Sequence, residues 1–225
     1  MPPHANPAAA SKPDLASFGF NLAGIAVLVL LAAVGLAYGV DLLGRNSRAA
    51  LPDRADTTTV AIAVAGHELA IPASWFRYGE QQRGGFVNEI DLHVLLQGLD
   101  GQPIPVDVTL VPRSRARPGS DLLDGVYLHQ FSDNTVGGVP GLVGKPLHDG
   151  DGFTGESVWY DALSPDPFVA KCLAPVAEGQ PAQCLRTVFL PSGIAAVYAF
   201  DVAALQSWRS FDGEMQQWLS QIGAW

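Results

Sequence analysis

Val60, Ile62 and Val64 alternate with small residues, and Leu69 and Ile71 continue the alternation beyond Gly66-His67. That pattern predicts a β-hairpin starting near Thr58, with a tight turn at Gly66-His67. The period of two is plainer further on. Ile90, Leu92 and Val94 on one arm and Val106, Val108 and Leu110 on the other flank Asp100-Gly101, which predicts a second hairpin turning at that dipeptide. After a loop over 112–119, Ser120-Asp121 supplies a helix cap for Leu122, Leu123, Val126, Tyr127 and Phe131 at helical spacing, with Gly125 opposing the helix. Strands are predicted again over 157–163, 168–173, 185–190 and 194–200, the last two joined at Pro191-Ser192-Gly193. Leu205, Trp208, Phe211, Met215, Trp218, Leu219 and Ile222 then recur every three or four residues as an amphipathic helix, with Asp201 available as its cap and Asp212-Gly213 expected to break it in two. The fold class that results is α+β: an antiparallel sheet built from hairpins with a C-terminal covering helix. Between Ser132 and Gly155 neither period holds and seven glycines intervene, so this stretch is expected to be a functional or mobile loop.

Ahead of the lobe stands a different pattern. Leu22 to Val40 is nineteen residues with Tyr38 as its one polar side chain, about 28 Å as a helix against a hydrocarbon core of about 30 Å. It is expected to span a membrane once, although Ala37-Tyr38-Gly39 also has the small-x-small form of a signal-peptidase site. The expected organisation is a disordered tail over 1–17, a transmembrane helix over 18–40, a stalk over 41–57 and a soluble α+β domain over 58–225. Gly35 and Gly39 are spaced to let a partner helix approach closely.

Orientation is argued from two sides. Lys12 precedes the span while Arg45, Arg48 and Arg54 follow it, and the positive-inside rule alone keeps the lobe in the cytoplasm. Cys172 and Cys184 are the two cysteines of the chain, separated by a segment containing Pro175, Gly179 and Pro181. Such a turn-rich connection can return one strand beside another and bring the thiols within bridging reach, the alternative being two unrelated thiols. A bridge places the lobe in an oxidising compartment, the periplasm, and that reading is preferred here.

Composition narrows the partners. The net charge of −9 falls almost wholly on the lobe, which excludes nucleic acid and anionic lipid as general partners. The 24 glycines and 17 prolines suit short strands and many turns. No G-x-S-x-G, C-x-x-C, H-E-x-x-H or P-loop is present; no cofactor is implied, and no resident metal is expected.

Weak chemical leads remain. Glu89, Asp91 and His93 sit at alternate positions of a strand and share one face, where with His148 they can form an acid-base or metal-assisted hydrolytic site, or equally the wetted face of a half-buried sheet. His148-Asp149-Gly150-Asp151-Gly152 with Glu156 has carboxylates among glycines but departs from the EF-hand spacing. Arg113, Arg115 and Arg117 can dock an anion or form a solvated basic loop. Trp75, Arg77, Tyr78 and Arg83 are the residue types that anchor protein interfaces or stack on sugars, and they also fill cores.

The stretch from Gly141 to Tyr160 and the Cys184-Leu185-Arg186 segment resemble uncharacterised single-pass, membrane-anchored periplasmic proteins of proteobacteria. The resemblance covers the C-terminal half and implies an envelope location. The sequence thus leads to a bitopic inner-membrane protein whose periplasmic domain is an accessory, assembly or structural subunit binding another membrane or envelope protein. The alternatives are a membrane-anchored periplasmic enzyme and a small-ligand or glycan-binding sensor.

Overall fold

The computed structural model describes residues 27–38, 53–98, 101–149, 154–175, 177 and 179–225. The expected tail over 1–17, residues 18–26 and 39–40 of the expected span, Gly39 included, and residues 41–52 of the expected stalk lie outside them. Residues 27–38 are helical (α1), carry Gly35, and expose their side chains. Among the described residues no helix is long and apolar enough to cross a membrane. The chain divides into two units, Met1–Ala49 and Ala50–Trp225, and the second contains the sheets.

Its main sheet has seven strands, every neighbouring pair antiparallel, in the order β4-β5-β10-β9-β8-β7-β6. These are β4 (Ile90–Gln97), β5 (Pro103–Pro112), β6 (Val143–Pro146), β7 (Glu156–Tyr160), β8 (Val169–Leu173), β9 (Gln183–Phe189) and β10 (Ile194–Asp201). A three-stranded sheet, β2-β1-β3, is made from β1 (Thr59–Val64), β2 (His67–Pro72) and the short β3 (Gly85–Val87). The helices of this unit are α2 (Gly119–Gly125) and the C-terminal α3 (Trp208–Gln221).

Alternation dictates which face is dry. Ile90, Leu92 and Val94 pair across the ladder with Leu110, Val108 and Val106, and these in turn meet Ala196, Tyr198 and Phe200. All are buried in the main core, because α3 lays Phe211, Met215 and Leu219 over this inner face. Tyr198 and Phe200 meet Phe211 at ring centroid distances of 5.7 and 4.7 Å. The small sheet contributes Ile62, Val64, Leu69 and Ile71 to the same core and is tied to the end of the chain by Ala70 N, which donates to Ile222 O.

Several expectations shift by a residue or more. Val64 pairs with His67, so the first turn is centred on Ala65-Gly66, one residue earlier than expected. Both have positive φ, 52° and 84°, the mirror-image turn that matches strand twist. The second hairpin joins Gln97 to Pro103 through residues 98–102, a longer connection than an Asp-Gly turn; Asp100 lies outside the described residues. Asp201 caps a 3-10 turn, Val202–Ser207, by accepting from Ala203 N, and α3 starts after it. Gly213 does not break α3, whose buried stripe and the Arg186–Asp212 pair hold it against the sheet. Ser120 and Asp121 lie inside α2, which begins at Gly119 without a side-chain cap. A Cβ at Gly119 would come within 3.1 Å of Val169, so the missing side chain lets α2 start against β8.

Over its described residues 132–149, the glycine-rich stretch holds regular structure. It contains β6 and isolated bridges Val136↔Gly144 and Phe131↔Leu147. Its backbone is fastened to the segment leading into α3 by Gln206 Nε2 to Gly138 O and Trp208 Nε1 to Pro140 O, 2.9 and 3.0 Å.

Candidate functional site

The outer face of the seven-stranded sheet is divided. At the β6-β7-β8 end, Leu123 and Tyr127 from α2 and the turn after it pack with Leu147, Val158 and Val169 in a second core. Burial, with Glu156 nearby, raises the Tyr127 hydroxyl pKa. Between β4 and β8 the face is covered unevenly: Val111 and Ala195 are buried at one end, Arg77 and Gln81 lie over Asp107 and Asp91, and Leu95, Leu185 and Leu173 are exposed toward the other end, where the strand registers place the side chains in rows.

One row runs His93, Asp107, Ala199, Leu185, Lys171. Another begins with Leu95 opposite Pro105 on β4 and β5, and on the far strands sets Asp201 opposite Gln183 and Gln183 opposite Leu173. Leu95, Leu173 and Leu185 are 44%, 37% and 38% exposed, large apolar side chains on one open surface.

Charged groups sit at both ends of these rows. On β4 and β5, Asp107 accepts from His93 Nδ1 at 2.8 Å through one oxygen and meets Arg77 at 3.0 Å through the other. Beside it, Asp91 accepts from Thr109 Oγ1 at 2.7 Å and Gln81 Nε2 at 3.1 Å, while Gln81 Oε1 accepts from Asp91 N. At the other end Lys171 Nζ reaches both oxygens of Glu156, at 2.9 and 3.1 Å. Asp107 and Glu156 are thus each paired with a cation and Asp91 accepts a hydrogen bond at each oxygen, so the face presents a mixed surface of apolar and paired polar groups.

A hollow of about 260 Å³ lies within it, lined by His93, Pro105, Asp107, Pro181, Gln183, Ala199, Phe200 and Asp201. The His93–Asp107 pair orients an imidazole as a general base is oriented. The lining holds no hydroxyl or thiol side chain to serve as its nucleophile.

The residues singled out from sequence are scattered. Asp91 and His93 share the outer face of β4, whereas Glu89 precedes the strand and pairs with Arg115 at 3.5 Å. His148 follows β6, six strand spacings from β4 and so roughly 29 Å away, where it lines a separate hollow with Asp149 and Glu156. Residues 150–153 of the acidic loop lie outside the described residues. Among the described residues no group of three or more His, Cys, Asp or Glu is placed to hold a metal ion.

Trp75 is half-buried and stacks edge-on against Trp218 at 4.6 Å, which makes it a clamp between the small sheet and α3. Arg77 is the partner of Asp107; Tyr78 is 41% exposed beside it and Arg83 is exposed at the end of a 3-10 turn. Arg113 lies over the Phe189 ring at 4.1 Å. Cys172 and Cys184 stand directly opposite each other on β8 and β9 and form a disulfide, both buried in the main core.

Asp107, Leu95, Leu185 and the Lys171–Glu156 pair were not foreseen. A signal for Asp107 was present: the apolar residues of both arms of the second hairpin are even-numbered. Two even positions can face each other only if the connection has an odd number of residues, which rules out a two-residue turn at Asp100-Gly101 and puts an odd-numbered residue opposite His93; the register makes it Asp107.

No protein-family model and no curated protein matches the chain. Among solved structures the chain is similar to an immunity protein of the Stenotrophomonas maltophilia type IV secretion system, with 10% identity, a TM-score of 0.48, and 74% of this chain and 93% of that one covered. That likeness assigns no family to the chain.

Proposed function

We propose that the chain is a single-pass inner-membrane protein whose periplasmic lobe docks an envelope protein, as an accessory, assembly or structural subunit of a membrane complex. The observation that carries the docking role is the exposed part of the outer face, where Leu185 lies between the Arg77–Asp107–His93 and Lys171–Glu156 clusters, Leu173 stands beside the second and Leu95 on edge strand β4 beside the first. Exposed leucines set among paired charged groups suit the mixed apolar and polar surface of a protein–protein interface. The buried cross-strand disulfide supports an oxidising compartment, and the apolar run from Leu22 to Val40 supports the tether.

Purification of the tagged full chain in mild detergent from its own membranes tests the docking role. A stoichiometric companion is expected with the native chain and is lost from Leu95→Arg and Leu185→Arg, which place charge on the open face without touching the core. A companion retained equally by both variants assigns docking elsewhere.

A further inference from the structure

The β8–β9 ladder is short. It runs over Lys171↔Leu185, Cys172↔Cys184 and Leu173↔Gln183 and then stops, although β9 continues to Phe189. Past that point the two strands part. The split is entered from the outer face by the start of α2, where Gly119 lies against Val169, and from the inner face by Arg186, whose Nη1 donates to Val169 O at 3.1 Å. That carbonyl therefore accepts from a side chain where a neighbouring strand would have supplied an N–H.

The orientation of the β9 backbone follows from its other neighbour. Leu190 N donates to Ile194 O at 2.8 Å, so Leu190 faces β10, and by the period of two so do Val188 and Arg186. The N–H and C=O groups of Thr187 and Phe189 point the opposite way, into the split. A hollow of about 270 Å³ remains there, lined by Thr187, Val188 and Phe189 on one side and by Pro118, Asp121 and Asp166 on the other.

We infer that this notch receives a short extended segment of a partner protein, added as a strand along Thr187–Phe189 and carrying a lysine or arginine side chain to Asp121 and Asp166. Strand addition gives affinity through main-chain hydrogen bonds and selectivity through flanking side chains. The charge of the incoming side chain follows from the mouth: Asp121 and Asp166 are both exposed there. Of the nearby cations, Arg186 is committed to Asp212, Arg113 lies over the Phe189 ring, and Arg117 is exposed beside Pro118 but is not among the residues that line the hollow. The inference rests on the docking function proposed above and names a second contact for the same partner.

The test uses the full chain in detergent micelles and the synthetic peptide acetyl-Thr-Lys-Val-Lys-Val-Thr-amide, with its Lys→Glu counterpart as control. Amide hydrogen exchange at Thr187 and Phe189 is expected to slow by about tenfold with the lysine peptide and not with the glutamate one. Asp121→Asn with Asp166→Asn, both surface changes, is expected to weaken binding by about tenfold while the melting temperature holds. Unchanged exchange at Thr187 and Phe189, or equal protection by both peptides, overturns the notch as a strand-addition site. A photo-crosslinker at Leu185 separates the two ideas: a specific adduct there with no peptide protection at Thr187 leaves the open-face docking role standing and removes the notch.

Discussion

Arg186 of β9 reaches from the buried side of the sheet to Asp212 on α3 through two near-parallel hydrogen bonds, Nε to Oδ1 at 2.9 Å and Nη2 to Oδ2 at 2.6 Å. The guanidinium lies 4.3 Å from the centre of the Phe168 ring and is 8% exposed, whereas Asp212 is about half exposed. The two partners are therefore unequal. Asp212→Ala leaves a buried cation without its counter-charge and is expected to cost about 2 kcal/mol, below the ~3–5 of a fully buried pair because water reaches the site. Arg186→Met leaves an aspartate that solvent can hydrate and should cost less. Urea denaturation of both variants checks the order.

Gly213 follows Asp212 in the middle of α3, is exposed, and a Cβ built there meets nothing within 4 Å. Gly213→Ala is expected to raise stability by about 1 kcal/mol, the helix-interior difference between the two residues. An unchanged denaturation midpoint would mean that the helix is locally looser than its hydrogen bonding implies.

Ala65 has φ 52° at the first central position of the β1–β2 turn, a conformation L-residues adopt at a cost of about 1–2 kcal/mol. Ala65→Asn gives the Asn-Gly dipeptide that this turn favours, and is expected to stabilise by about 0.5–1 kcal/mol. Thermal melts of the variant and the native chain make the comparison.

The disulfide closes a short loop of sequence separation 12. By the chain-entropy relation it contributes about 3 kcal/mol, so the double variant Cys172→Ala, Cys184→Ala should lose about that much. Thiol titration of exported, unreduced protein should find both cysteines blocked; two reactive thiols would remove the argument for the periplasm.

Stability at high pH is expected to depend on tyrosines held neutral. Burial, reinforced by Asp212 and partly opposed by Arg186, holds the Tyr198 hydroxyl pKa far above its ordinary value, and burial raises Tyr127 as well. The neutral form is favoured in the fold, so the associated stability is complete below the unfolded tyrosine pKa of about 10 and is lost as pH rises past it. Tyr198→Phe should flatten the decline above that pH. An alkaline limb identical to that of the native chain would assign the loss to other groups.

Strand and helix periods carried most of this fold because burial on one face enforces them, as Ile90 to Leu110 and Phe211 to Leu219 show. β6 was hidden because Gly144 occupies the inward position where its neighbour Trp159 fills the space, leaving no apolar side chain to mark the period. The docking face was less legible for a different reason. Leu95 is far in sequence from Leu173 and Leu185 and comes to the same face only through the order β4-β5-β10-β9-β8. Trp75 misled because its type suits an interface and a core clamp alike, and Trp218 decides between them 143 positions later.

The most direct test of the docking role is a photo-crosslinking amino acid placed in turn at Leu95, Leu185 and Gln216, the last exposed on α3, in the full chain within its native membrane. A discrete adduct of one mass from Leu95 and Leu185, absent from Gln216, is the predicted result. No adduct from the sheet face, or the same adducts from all three positions, would contradict it.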